Sequence, residues 1–131
     1  MESNPLLDGL RVEPAPGPSV FVIFGASGDL TRRKLLPALY KLSGAHRLPP
    51  RFSVIGVAKT SMDDDGFRAQ FRDSLSEFAS VDPADDAVAD SLAAHMRYLE
   101  GDLEDPALYR RLAALIDEIG PDGGALFYLA I

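Results

Sequence analysis

The stretch Gly25-Ala26-Ser27-Gly28-Asp29 follows directly on the apolar run Val20 to Phe24 and passes at once into a helical pattern of Leu30, Thr31, Leu35, Leu36, Leu39 and Tyr40. A strand, a glycine turn and a helix in immediate succession aim bare backbone N–H groups and the positive end of a helix at one point, which is the chemistry of phosphate binding. Gly25 and Gly28 permit a tight turn and close approach of a ligand. Ser27 adds a hydroxyl that can bond a phosphate oxygen or cap the helix. Asp29 is the unexpected member beside an anion, and reads better as an acceptor of backbone N–H groups at the helix start. The spacing is G-x-x-G rather than G-x-G-x-x-G, with Ser27 in the place of the second glycine and Leu30 in that of the third. The position between strand and helix, more than the bare pattern, carries the assignment.

A second point of chemistry lies at Lys59-Thr60-Ser61, where the apolar run Phe52 to Val57 ends. In dinucleotide-binding sheets this position discriminates cofactors: an acid takes the ribose hydroxyls of NAD, a cation the 2′-phosphate of NADP. No acid stands here, so Lys59 with its two neighbouring hydroxyls points to NADP. Arg32, Arg33 and Lys34 adjoin the glycine turn, but a helix advances about 100° per residue. All three cannot face one ligand, and periodicity does not choose between them. His46 and His95 are the only imidazoles, and with no cysteine in the chain neither has the spacing of a metal ligand. No metal site is expected.

The elements that must position these groups follow from periodicity and caps. Residues 1–18, with Pro5, Pro14, Pro16 and Pro18, read as a Pro-rich arm preceding a domain over 19–131. A strand is expected over Ser19–Phe24 and a helix from Leu30 to Ser43, with Gly44 as its C-cap. Pro37 falls inside that helix and lacks the N–H an interior position should donate. After a second strand, a helix starting near Ser61 is marked by Asp63 to Asp65 and by the apolar stripe Phe67, Phe71, Leu75 and Phe78. Asp82-Pro83 and Asp105-Pro106 each read as an N-cap followed by a first helical residue. Between those helices Met96 to Leu99 makes a short strand. The second helix carries Leu108, Leu112, Leu115, Ile116 and Ile119, and is ended by Gly120, Pro121, Gly123 and Gly124. The final strand is Ala125 to Ile131.

The order β-α-β-α-α-β-α-β, with connections long enough for parallel crossovers, predicts an α/β, Rossmann-like parallel sheet with helices on both faces. Ligands of such sheets lie beyond the carboxyl ends of the strands. Gly25 to Asp29, Ala58 to Thr60, Gly101 to Leu103 and the end of the last strand should gather there.

The 131 residues carry 13 basic and 20 acidic side chains, a net charge of −7. That balance argues against a broad nucleic-acid-binding face. No apolar run approaches a membrane span, and the N-terminus lacks the basic start and apolar middle of a secretory signal, so a cytoplasmic protein is the expectation.

The segment Phe24-Gly-Ala-Ser-Gly-Asp-Leu-Thr-Arg-Arg-Lys-Leu-Leu-Pro-Ala-Leu-Tyr40, proline included, closely resembles the N-terminal motif of the glucose-6-phosphate dehydrogenases. Ile55-Gly-Val-Ala-Lys59, Tyr109 with Leu112, and Leu126-Phe-Tyr-Leu-Ala130 agree with that family in order and spacing. The resemblance implies an NADP-dependent oxidoreductase of glucose metabolism that takes glucose 6-phosphate to 6-phosphogluconolactone, the first step of the oxidative pentose phosphate pathway. It implies that Gly25, Ala26, Ser27, Gly28, Asp29 and Leu30 form the pyrophosphate turn. It also implies that Lys34 lies near the junction of cofactor and sugar phosphate, and that Lys59 meets the 2′-phosphate. Many members carry arginine at the last position; lysine keeps the charge but not the planar fork, so NAD use alongside NADP is expected. The family's Glu-Lys-Pro-Phe-Gly and Arg-Ile-Asp-His-Tyr-Leu-Gly-Lys segments, with its substrate contacts and histidine base, are not among these residues. The resemblance therefore implies an incomplete coenzyme domain, a fragment inactive by itself, whose full-length relatives are homo-oligomers that also bind glucose 6-phosphate. Two other readings fit a glycine turn. A short-chain or epimerase-like reductase would need a Tyr-x-x-x-Lys pair, which is absent, and a stand-alone NAD(P)-binding module would need a properly terminated last strand.

Overall fold

The computed structural model describes residues 19–49, 51–80, 86–120 and 124–131. The expected arm and the Asp82-Pro83 cap lie outside them. Four strands, β1 (Ser19–Phe24), β2 (Phe52–Ala58), β3 (Met96–Glu100) and β4 (Ala125–Leu129), form one parallel sheet in the order β3-β2-β1-β4. This is the α/β, Rossmann-like sheet expected from the sequence. β1 is flanked on both sides, by β2 in a register that sets Val22 beside Ile55 and by β4 in one that sets Val22 beside Phe127. Val20 to Phe24 are apolar on both faces because both are covered. Ile23 and Val54 face one layer with Phe67, Phe71, Leu75, Leu36 and Leu92. Val20, Val22, Phe24, Ile55 and Val57 face the other with Leu108 and Leu112.

The helices are α1 (Leu36–Gly44), α2 (Asp64–Phe78), α3 (Ala87–Ala93) and α4 (Pro106–Ile119). Their starts obey capping chemistry. Asp63 accepts the N–H of Gly66 at 2.7 Å, Asp86 those of Val88 and Ala89 at 2.9 and 3.0 Å, and Asp105 that of Ala107 at 2.9 Å. Pro106 occupies the first turn of α4, as the Asp105-Pro106 pair predicted. The expected Leu30–Ser43 helix is divided: Thr31–Leu35 form a single π-helical turn before α1, and Leu36 donates its N–H to the carbonyl of Thr31. Pro37 explains the division. It offers no N–H to the carbonyl four residues back, and its ring crowds that carbonyl, so the chain takes a wider turn and restarts as an α-helix with proline at its N-terminal end. Gly44 falls inside α1, and Ala45 is the C-cap.

Gly56 is a point of close approach in the core. A Cβ built there would lie 2.7 Å from Cζ of Phe67 and 2.8 Å from Cβ of Ala26. The missing side chain lets α2 and the glycine turn pack directly on β2. The sheet's two edges differ. At β3, Asp64 accepts the N–H of Tyr98 at 2.7 Å and Arg68 donates to the carbonyl of Met96 at 3.1 Å, so α2 side chains cover the outer backbone. At β4, Leu126 and Leu129 are 67% and 68% exposed, on a strand without a charged residue. The sequence marked β4 as a strand, but no strand among the described residues pairs with its outer edge.

Tyr40 of α1 donates its hydroxyl to Asp86, joining the start of α3 to α1. This hydrogen bond, with the N–H groups of Ala89 and Val88, holds the Asp86 carboxyl below its ordinary value; it also raises the Tyr40 phenol. The stability contributed by Asp86 is thus present above the unfolded carboxylate pKa and lost as pH falls through the lower folded value. Tyr40→Phe should lower the melting temperature at neutral pH. Its deficit relative to the parent should shrink as the pH drops from about 6 to about 2; a constant deficit across that range would contradict the coupling. Gly56→Ala should cost about 1–3 kcal/mol by overpacking, read by urea denaturation. In a Phe67→Leu background the loss should be smaller, and equal losses in both backgrounds would show that Phe67 is not the obstructing group.

Candidate functional site

β1 ends at Phe24 and the chain turns at Gly25, whose φ of +90° is a conformation L side chains rarely adopt. A Cβ there would also lie 2.6 Å from the carbonyl oxygen of Ala130. Three elements hold the turn. The carbonyl of Val57 on β2 accepts the N–H groups of both Gly25 and Ala26, at 2.8 and 3.2 Å. Ala130, just past β4, donates to the carbonyl of Phe24 at 2.8 Å. Gln70 of α2 donates to the carbonyl of Ala26 at 2.8 Å. Inside the turn, Gly28 N–H and the buried Thr31 hydroxyl both donate to the Gly25 carbonyl, at 3.0 and 3.1 Å.

This bonding divides the turn's donors. Gly25, Ala26 and Gly28 spend their N–H groups on internal acceptors, whereas Ser27, Asp29 and Leu30 have none among the described residues. Asp29 and Leu30 are exposed at the first turn of the helix, where free N–H groups carry its positive end. Among the described residues Asp29 takes no backbone N–H group, contrary to the expectation from its position. Its carboxylate pairs with Arg33 at 3.0 Å and Arg32 at 4.0 Å, because three- and four-residue helical spacing brings those cations onto its side.

The same pairs separate the three adjacent cations. Arg32 also meets Glu77 at 3.2 Å, and both guanidinium groups lie over the Phe78 ring, at 5.6 and 5.2 Å from its centroid. Lys34 is exposed and has no carboxylate within ion-pair distance among the described residues. It is the cation of the three left open to an outside partner.

At the end of β2 the backbone around Lys59 is clamped. The Tyr98 hydroxyl of β3 donates to the carbonyls of Thr60, at 2.6 Å, and Ala58, at 3.3 Å, and Gly101 N–H donates to Ala58 at 2.9 Å. Burial, aided by the nearby Glu100, pushes the Tyr98 phenol up, which keeps it a donor. The Thr60 hydroxyl bonds the Ser27 hydroxyl at 2.8 Å, tying this loop to the glycine turn. Lys59 itself is exposed, its Nζ 3.7 Å from Asp102.

These loops enclose a cleft of about 370 Å³ over the carboxyl ends of the strands, bounded by Gly25, Lys59, Gly101, Asp102, Leu103 and Glu104. Ile131 and Val57 add apolar wall. The four segments expected to gather at this edge do so. Tyr98, Gln70 and Asp102 were not singled out in the sequence; only Asp102 had a signal, its place at the end of a strand. His46 and His95 line a different cleft, of about 340 Å³, with Ser43, Phe52 and Ser91. It lies at the amino ends of the strands, away from the glycine turn. His95 Nδ1 bonds the carbonyl of Ser91 at 2.9 Å, and no cluster of three potential metal ligands occurs among the described residues.

A dinucleotide fits what this edge offers: open N–H groups at a helix start, a cation on the neighbouring strand, and a cleft between them. Comparison with known proteins agrees. Residues 22–131 match the family model described as "Glucose-6-phosphate dehydrogenase, NAD binding domain". The glucose-6-phosphate 1-dehydrogenase of Mycolicibacterium smegmatis is 39% identical over 123 residues, covering 89% of this chain and 24% of that protein. The enzyme of the same name from Aggregatibacter actinomycetemcomitans is 40% identical over 113 residues, 83% of this chain and 22% of that one. The crystal structure of the Mycobacterium avium glucose-6-phosphate 1-dehydrogenase superposes with a TM-score of 0.74 at 35% identity, over 86% of this chain and 23% of that one. A glucose-6-phosphate dehydrogenase in complex with its substrate glucose-6-phosphate gives 0.75 at 30% identity, over 86% of this chain and 24% of that one. The chain thus spans about a quarter of the length of the relatives it matches, and it belongs to the glucose-6-phosphate dehydrogenase family through that family's NAD-binding domain.

Proposed function

We propose that this chain is the coenzyme-binding part of an NADP-dependent dehydrogenase that oxidises glucose 6-phosphate to 6-phosphogluconolactone. The observation that carries the reading is the set of open N–H groups on Ser27, Asp29 and Leu30, placed on the same sheet edge as Lys59. Those groups, with the backbone of Gly25, Ala26 and Gly28 shaping the turn, would hold the pyrophosphate. Lys59 would meet the 2′-phosphate of NADP, with NAD accepted as a second cofactor. Lys34, without an ion pair among the described residues, would face the junction of cofactor and sugar phosphate. When bound, the nicotinamide supplies the hydride acceptor.

What these residues contribute is binding and orientation. The turn fixes the anion by backbone donors that need no rearrangement, and the Ser27–Thr60 and Tyr98–Thr60 bonds hold the Lys59 loop against it. No catalytic residue is assigned within residues 1–131. The two histidines stand at the opposite end of the sheet, so neither can take a proton from a sugar held beside the glycine turn. A cytoplasmic location and a homo-oligomeric full-length enzyme belong to the same proposal.

The 131-residue chain should be stabilised by NADP, by roughly 2.7 kcal/mol at a hundredfold excess over Kd, and by NAD to a smaller extent. It should show no turnover of glucose 6-phosphate. Gly28→Val places a side chain against the Gly25 carbonyl, 3.2 Å from the Cβ position, beside the open donors. It should abolish both shifts in melting temperature. A full response in that variant would move the nucleotide away from the turn, and equal shifts by NADP and NAD in the parent would remove Lys59 as a 2′-phosphate ligand.

A further inference from the structure

Lys59 is not alone at its end of the cleft. Asp102, just past β3, sets Oδ2 3.7 Å from its Nζ, and Glu104 lies on the same wall. The Asp102 carboxylate is held in place: its Oδ1 accepts the N–H of Glu104 at 2.9 Å, and its backbone carbonyl accepts that of Asp105 at 2.9 Å. Such a turn leaves the second carboxylate oxygen directed at the lysine. The residues bounding the cleft thus include one cation, Lys59, paired with Asp102, and a second acid, Glu104.

We infer that Asp102 is the residue that sets the balance between NADP and NAD at this site, an inference that rests on the cofactor reading above. A 2′-phosphate carries close to two negative charges at neutral pH. To reach Lys59 it must displace Asp102 from the ion pair and then sit beside that carboxylate, so the attraction of the lysine is partly offset. A ribose with free 2′- and 3′-hydroxyls offers donors instead. A fixed carboxylate is the acceptor such hydroxyls require, the chemistry an acid at the end of the neighbouring strand supplies in NAD-binding sheets. Here that acid comes from the end of β3, one strand further along the sheet, while the usual position holds lysine. Each cofactor finds one favourable group, so Asp102 narrows, without abolishing, the preference for NADP that Lys59 provides.

The test is titration calorimetry of NADP and NAD against the parent chain, Asp102→Asn and Asp102→Ser. Both substitutions retain an oxygen for the Glu104 N–H, and circular dichroism checks that each variant is folded. Removing the charge should tighten NADP and weaken NAD, moving the ratio of their dissociation constants roughly three- to tenfold toward NADP in both variants. If both cofactors still bind and the ratio stays within about twofold of the parent's, the Lys59–Asp102 pair is a plain surface ion pair and the inference is wrong, with the cofactor reading intact. If neither cofactor binds the parent chain, that reading fails and takes this inference with it.

Discussion

The carbonyl of Val57 accepts two N–H groups, those of Gly25 and Ala26, and the rest of the site depends on that sharing. It carries the parallel hydrogen bonding of β1 and β2 one step past the end of β1, and so pins the glycine turn to the neighbouring strand. With Gly25 and Ala26 committed inward, the next donors along the chain emerge at the start of the helix. The position of the anion site is thereby fixed by the sheet. The positive φ of Gly25 and the Ala130 carbonyl against it explain why glycine alone suits this point.

Packing supports the same junction from beneath. Phe67, fully buried, lies where a side chain on residue 56 would stand, and Ala26 lies on the other side of that gap. Burial of an aromatic of this size contributes about 1.5–3 kcal/mol relative to exposure. The Gln70 bond to the Ala26 carbonyl comes from the same helix one turn on. α2 thus contributes to the core, to the turn and, through Asp64 and Arg68, to the outer edge of β3. A single helix connects the hydrophobic core to the ligand edge, so loosening α2 would disturb the site without touching it.

Features set by neighbours in the chain were legible in the sequence. The glycine turn, the Asp105-Pro106 cap and the stripe of Phe67, Phe71 and Leu75 depend on residues within a few positions of each other. The four segments of the ligand edge followed from the general rule for parallel sheets. Features set by distant partners were not legible. Tyr98 clamps Thr60 across 38 positions and Gln70 reaches Ala26 across 44, and no local pattern announces either. Pro37 was an anomaly in the pattern, but only the backbone shows the π-helical turn that resolves it. Asp29 departs from the expectation for an acid at a helix start because two arginines a turn away compete for its carboxylate. The apolar run of β4 identified a strand and said nothing of what would cover it.

The central claim is that the turn's donors are divided, with Gly25 and Ala26 closed and Ser27, Asp29 and Leu30 open. Backbone amide NMR during a titration with NADP tests it most directly. The account predicts large shifts for the amides of Ser27, Asp29 and Leu30, with slow hydrogen exchange at Gly25 and Ala26 both before and after the nucleotide is added. Fast exchange at Gly25 and Ala26, or shifts centred on His46 and His95 at the other end of the sheet, would contradict it.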